Sequence, residues 1–537
     1  MGRGVLTAID RSPGESPSRR DAAAAYVVPT VLAALVVLPL LPPGFVLSYD
    51  MVFTPRQPLR PESIGVGASL PRAVPVDAVV AAVETVLPGM LLQKLVLVAV
   101  LVGAGVGAAR LGLRTAHGAG LPAGVVGAVT GAVYVWNPYV AERFVIGHWS
   151  LLVAYAVLPW TLSTAWDVRA RTPGAPPRLV LLLAASAITP TGGLVAAFAA
   201  VIAVGRRRAA LGVAFAAAVM NAPWVVAGAL HPQAGTADPD GVAAFALRAE
   251  SWLGVAGSAL SLGGIWNAEV VPDSREGAAA AAVIALLLLA LAAVGLSGWG
   301  RMSARSRWTL AVLAGAGLVL SLGSSLPGPD AVVRWAVTTV PGAGLLRDAH
   351  KWLVLLALPL ALAVGWGAGR VAEALRARVT DPPERAAAVV GAGALAVLVA
   401  VATVPDLVWG VGGRLELVRY PQDWYDVRSA LADVPADELV VVVPFQTFRA
   451  YPWNSGRTVL DPAPRWFRQD LVVDDDLPLR GTAVEGESRR AAVVERALAG
   501  PDPVGALTSR GVHWVLVERS TPGPVPPDLL RAGTVVT

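Results

Sequence analysis

YVVPTVLAALVVLPLLPPGFVLSYD, Tyr26–Asp50, decides how the rest of the chain is read. Tyr26–Leu47 carries no charged side chain, and about 20 mostly apolar residues suffice to cross a hydrocarbon core about 30 Å thick. The run, taken from Ala22, is longer than a signal-peptide h-region and ends in PLLPPG with no A-x-A site. It therefore reads as an uncleaved first membrane span. Asp50 follows at its outer end. A carboxylate there is held at a fixed depth, near a lipid-borne substrate yet within reach of water, a good place for a general base.

Composition extends this reading along the chain. With 537 residues, 55% hydrophobic and 15% charged, and a mean hydropathy of +0.60, the sequence is that of a polytopic membrane protein. Further apolar runs follow at about Met90–Ala109, Leu121–Trp136, Leu151–Trp166, Ala209–Leu230, Ala278–Leu296, Trp308–Leu322, Trp352–Gly369 and Ala386–Val404. Between Arg178 and Arg206 a run is broken by ITPTGG, Ile188–Gly193, and both its ends are basic. It reads as two short helices or a re-entrant hairpin, which requires protein or a water-filled cavity to satisfy the freed backbone groups. Counted as two, it brings the total to about 11 transmembrane helices and puts every Arg-rich connection on one side.

The expected fold is thus an all-α polytopic membrane protein with a C-terminal extracytoplasmic α/β domain. Residues 1–25 are expected to be cytoplasmic and disordered. Residues 26–404 form the transmembrane domain, with external loops 48–89, 137–150, 231–277 and 323–351, and 405–537 form the external domain. Within the first loop Pro75–Gly89 has helical spacing with Asp77 and Glu84 on its polar side, as in a helix lying along the interface. In the tail, Glu438–Phe445 and His513–Glu518 read as buried strands, and WYDVRSALADV and SRRAAVVERALAG as helices.

Several functions find no support. The pI near 9.8 suggests a nucleic-acid partner, but Pro405–Thr537 holds 14 Arg, no Lys and 18 Asp plus Glu. The basic excess therefore lies between the spans, where the positive-inside rule accounts for it without nucleic acid. The absence of cysteine removes disulfides and thiolate metal sites. No H-x-x-x-H spacing, P-loop or G-x-S-x-G occurs, so zinc, nucleotide and hydrolase-elbow chemistry have no signature. Asp474–Asp476 is either a Ca²⁺ ligand run or a solvated loop.

The order of features resembles the GT-C superfamily of membrane glycosyltransferases, and more narrowly the YfhO-like and actinobacterial arabinofuranosyltransferase-like membrane proteins. The residues that carry it are SYD after the first span, NPYVAERFVIGHWS (Asn137–Ser150), the broken Pro/Gly pair and RDAHKW (Arg347–Trp352). The tail adds VVVPF, YPWNSGRTVLDPAPRWF and GVHWVLVE. The resemblance implies transfer of a sugar from a polyprenyl-phosphate-linked donor, at the outer face of the plasma membrane, to a glycan, glycolipid or glycoprotein acceptor of the cell envelope. Many GT-C enzymes carry two adjacent acidic residues in the first external loop, whereas here Met51 follows Asp50.

Such a transfer needs a base for the acceptor hydroxyl and cations for the departing lipid phosphate. Asp50 is the expected base, or else an ordinary interfacial residue. Glu142 orients the acceptor or shares a divalent cation with Asp50, or else pairs with Arg143 at the surface. The expected cofactor is none, with a divalent cation as the alternative. Lys94 and Lys351 are the only lysines among 43 basic residues and both fall near the outer face. With Arg143, Arg347 and His350 they form the expected phosphate clamp. His148, Trp149 and Asp348 are the expected sugar and acceptor contacts. A transporter or flippase of lipid-linked sugars, or a non-catalytic envelope-assembly protein, are the alternatives.

Overall fold

The computed structural model describes residues 19–532 except 69, 71, 118, 233–237, 277, 278, 480 and 481. The N-terminal segment expected to be disordered lies, up to residue 18, outside the described residues. In chain order the helices are α1 (Arg19–Val37), α2 (Val76–Val83), α3 (Gly89–His117), α4 (Ala123–Val135), α5 (Pro138–Val145) and α6 (Trp149–Ala170). Next come α7 (Ala175–Ser186), α8 (Pro190–Val204), α9 (Arg207–Leu230), α10 (Asp240–Ala244) and α11 (Gly254–Leu260). The last of the bundle are α12 (Ala279–Gly298), α13 (Ala304–Leu322), α14 (Pro329–Thr339), α15 (Val354–Arg378) and α16 (Pro382–Ala402).

Among the described residues, eight helices are long and apolar enough to cross a membrane, those built on α1, α3, α6, α9, α12, α13, α15 and α16. This is fewer than the sequence suggests. The other three apolar runs form α4, α7 and α8, of 13, 12 and 15 residues, only about 18–23 Å long at about 1.5 Å per residue. Local chemistry cuts them short. Asn137 and Pro138 end α4 and start α5, with the Asn137 side chain accepting from the Val140 N–H and donating to the Tyr134 and Val133 carbonyls. Pro190 opens α8 directly after the Ile188–Thr189 break. Segment 137–150 also differs from the expected external loop: α5 is helical and buried along its whole length.

α15 is the axis of the bundle. Its apolar window is completely buried, against α4, α12, α13 and α16, as a helix apolar on all sides requires. At the α12–α15 crossing a Cβ on Gly295 would overlap the Ala363 carbonyl, and one on Gly367 the Leu291 carbonyl. Small residues there let two backbones touch. A 3-10 turn, Ala349–Leu353, leads into α15, so the polar residues preceding that helix adjoin the completely buried axis of the bundle.

The tail forms the expected strands in a small sheet. β1 (Phe45–Val46) and β2 (Leu417–Val418) pair first. They are followed by β3 (Leu439–Val443), β4 (Phe448–Ala450), β5 (Thr458–Leu460), β6 (Asp470–Val472), β7 (Leu477–Leu479), β8 (Thr482–Val484) and β9 (Val512–Val517). β6, β3 and β9 are parallel in that order. Alternation along β3 splits its side chains between two cores: Val441 and Val443 pack with Val494, Ala497 and Leu507, while Val440 and Val442 join the large core shared with the bundle. The tail is therefore fused to the membrane part by apolar packing.

It also grips the first loop. β1 pairs antiparallel with β2, Phe45 opposite Val418. Tyr49 N–H donates to the Thr458 carbonyl at 2.8 Å and Leu460 N–H to the Tyr49 carbonyl at 2.8 Å. Tyr49, just before Asp50, thus makes an isolated parallel bridge to Val459 of β5.

Candidate active site

A cavity of about 830 Å³ opens between the first loop, the turn after α5, the residues leading into α15 and the tail. Asp50 stands in its wall on a tight loop. Met51 N–H donates to the Ser48 carbonyl at 2.8 Å, Asp50 N–H to the Ile146 carbonyl at 3.2 Å, and Ser48 Oγ to the Val145 carbonyl at 2.6 Å. Tyr49 takes a left-handed φ of 44°, a conformation that costs a non-glycine residue about 1–3 kcal/mol and persists only where its surroundings enforce it. Gly147 makes the close approach possible, because its φ is +80° and a Cβ would overlap Met51 N.

From Asp50 a chain of hydrogen bonds leads inward. His148 Nε2 lies 2.9 Å from Asp50 Oδ2, and His148 Nδ1 lies 2.7 Å from Arg143 Nη1. Arg143, fully buried, also donates to both Asp348 oxygens, at 3.0 and 2.8 Å. A guanidinium only donates, so Nδ1 is the acceptor and the ring proton sits on Nε2, pointing at Asp50. Lys351 Nζ approaches Asp348 Oδ2 at 3.5 Å.

Electrostatics agree with that assignment. Burial pushes the Asp50 carboxyl up, but the His148 hydrogen bond and the nearby charges of Lys351 and Arg465 outweigh it and hold the group below its usual value. Burial and the neighbouring Arg143 push the His148 imidazole down against the pull of Asp50. An ionised Asp50 beside a neutral His148 results. Burial likewise raises Asp348, and Arg143 with Lys351 reverses this, keeping it well below the usual carboxylate range. Asp50 remains 39% exposed on its side chain, enough to meet a ligand in the cavity. Tyr49, whose hydroxyl donates to Glu269 at 2.9 Å, is pushed up to about 12 by burial and that carboxylate.

Of the residues singled out in the sequence, Asp50, His148, Trp149, Arg347, Asp348 and Lys351 line the cavity. Arg143 stands just behind it. Glu142, one position before Arg143, points from a different face of α5 into the core. It accepts there from the Ile265 N–H at 3.2 Å, and its Oε2 sits 3.1 Å from His350 Nε2. Burial, with the charge and hydrogen bond of Glu250, raises the Glu142 carboxyl well above its usual value. Glu142 and His350 do not line the cavity, and neither does Lys94, whose buried Nζ on α3 makes no protein hydrogen bond. Asp50 and Glu142 are therefore not brought together around one cation.

Asp474, Asp475 and Asp476 are the one acidic group among the described residues close enough to hold a metal ion. Their oxygens are largely committed to the chain: Asp475 Oδ2 accepts from Arg72 and from the Glu487 and Ser488 N–H groups, and Asp476 Oδ1 from Gly486 N–H. Sequence reasoning placed Asp77 only on the polar side of an interfacial helix and missed Tyr49, Glu269 and Arg465 in the cavity wall. Only Arg465 had a signal, as the one charged residue of APRWF.

Residues 259–520 match the family model described as Alpha-(1->3)-arabinofuranosyltransferase, N-terminal GT-C domain. No curated protein matches the chain. Among solved structures, the cryo-EM structure of the arabinofuranosyltransferase AftD from Mycobacteria is similar over 95% of this chain, with a TM-score of 0.56 and 17% identity. A mutant of the same enzyme gives a TM-score of 0.59 at 18% identity, and a second class of that mutant 0.53 at 16%. This chain spans 36–37% of the length of those structures. In sequence over residues 259–520 and in fold over nearly its whole length, the chain is similar to the GT-C membrane glycosyltransferases of the arabinofuranosyltransferase kind.

Proposed function

We propose that this protein is a membrane glycosyltransferase that moves a sugar from a polyprenyl-phosphate donor to a hydroxyl of a cell-envelope glycan, glycolipid or glycoprotein on the outer face of the plasma membrane. The observation that carries the reading is the chain Asp50–His148–Arg143–Asp348 at the wall of a cavity that Lys351 and Arg347 also line. Asp50 is the general base. His148 is its positioning partner rather than a sugar contact, because both ring nitrogens are engaged by protein.

In the transfer the acceptor oxygen forms a bond to the anomeric carbon as the bond from that carbon to the phosphate oxygen breaks. The bonding pair leaves with the phosphate, and the hydroxyl proton passes to Asp50. The lipid phosphate gains one negative charge, which Lys351 and Arg347 offset. In the membrane, α4, α7 and α8 complete an eleven-pass topology, with short helices tolerated because protein surrounds them. The amino terminus is cytoplasmic and residues 405–537 lie outside, next to the acceptor.

A glycan analysis of a deletion strain tests the function. Complementation with the wild type restores the missing linkage and complementation with Asp50→Asn does not, at equal protein level. An envelope unchanged by the deletion, or restored equally by both, overturns the assignment.

A further inference from the structure

We propose that Arg465, delivered to the cavity by the tail, is a phosphate-binding residue of the site, so that the C-terminal region supplies part of the catalytic apparatus. The proposal rests on the glycosyl-transfer reading and adds a residue to it. Arg465 lies on the short helix Ala463–Trp466. That helix is locked in place: Asp461 accepts from Ala463 N–H at 2.8 Å, and the buried Trp466 donates to the Trp424 carbonyl at 2.9 Å. It is also tied to the first loop beyond Asp50. Thr54 Oγ1 donates to the Arg465 carbonyl at 3.1 Å and Arg60 to the Pro464 carbonyl at 2.7 Å.

The side chain then reaches the cavity that Asp50 and Lys351 line. Among the described residues three arginines stand in that wall, and they meet their acidic partners differently. Arg347 gives an Nη to Glu487 at 3.3 Å, and Arg72 an Nη to Asp475 at 2.6 Å. Arg465 meets Asp77 through Nε, at 3.1 Å, and among the described residues neither of its Nη groups has a protein partner. Its outer fork is therefore intact. Two parallel N–H donors match two oxygens of a phosphate, a geometry Lys cannot supply. Lys351, which lines the same cavity, adds a point charge, because Arg143 already satisfies both oxygens of Asp348. The ligand class is a prenyl phosphate: a monoester as the leaving group, a diester as the head of the donor.

The test uses the full-length protein in lipid nanodiscs, with farnesyl phosphate as the probe and farnesol as its phosphate-free counterpart. Arg465→Gln keeps an amide that can donate to Asp77 and removes only the fork. We expect its Kd for farnesyl phosphate to rise on the order of ten-fold, the loss of one charge-assisted contact, with farnesol binding and thermal midpoint unchanged. Arg465→Lys should lose less and Asp50→Asn nothing. Wild-type affinity for farnesyl phosphate in Arg465→Gln overturns the proposal; if that variant fails to fold, wild-type affinity in Arg465→Lys does so. Weakened binding in Arg465→Gln beside full transfer activity in Asp50→Asn would leave this anion site standing and remove the catalytic reading of Asp50.

Discussion

At the scale of single residues, His148 is the most informative. Its hydrogen bond is the foremost of the contributions that hold the Asp50 carboxyl below its usual value. A base with a lowered pKa works above that pKa and loses activity as pH falls through it, so the wild-type acid limb lies below the ordinary carboxylate value of about 3.9. Without the imidazole burial is opposed only by the charges of Lys351 and Arg465, and the pKa rises. The pH–rate profile of His148→Ala should therefore show an acid limb displaced toward neutrality, with transfer at pH 8 reduced less than at pH 5. An unshifted limb would remove His148 from the mechanism. Arg143 and Asp348 act one step further in. Truncating one partner of a buried ion pair costs about 3–5 kcal/mol because the other charge is left behind, so Arg143→Ala should lower the thermal midpoint sharply and abolish transfer together. Asp50 was legible in the sequence because it is the first charge after an apolar run. The Arg143–Asp348 pair was not, since the two are 205 positions apart and each has a charged neighbour that looks equally eligible.

At the scale of elements, eight of the eleven apolar runs translated directly into long helices, as length and hydropathy require, while those of α4, α7 and α8 were cut short by Asn, Pro and Gly. α5 was harder to read. PYVAERFV mixes charged and apolar residues as a surface segment does, and its burial goes with the pairing of Arg143 with Asp348 and with a Glu142 carboxyl pushed toward its neutral form. α15 gives the clearest test of packing. Gly295→Val places atoms on the Ala363 carbonyl, whereas Gly315→Ala on α13 meets nothing within 4 Å. Overpacking of this kind costs about 1–3 kcal/mol. The first variant should melt several degrees lower in detergent and the second should match the wild type; equal midpoints would contradict the close α12–α15 crossing.

At the scale of the molecule, the tail is where sequence and structure diverge most. Its strands were readable from ELVVVVPF and HWVLVE, but the stitching of Tyr49 to β5 was not, because backbone pairing between residues 49 and 458–460 leaves no trace in side-chain pattern. The consequence is that the membrane part and the tail share one site. A chain ending at Val404 should insert yet show no transfer activity and bind no farnesyl phosphate. The proposed orientation has its own test, made clean by the absence of native cysteine. Ser429→Cys should react with a membrane-impermeant maleimide on intact cells and Arg376→Cys only after permeabilisation. The reverse pattern would invert the topology.

The central claim is that a carboxylate fixed at the end of the first span takes a proton from the acceptor. Its most direct measurement is single-turnover transfer from a synthetic polyprenyl-phosphate sugar by the purified protein, wild type against Asp50→Asn. Loss of general-base catalysis predicts a rate lower by roughly 10²–10⁴-fold with donor binding intact; transfer by Asp50→Asn at the wild-type rate would contradict the account.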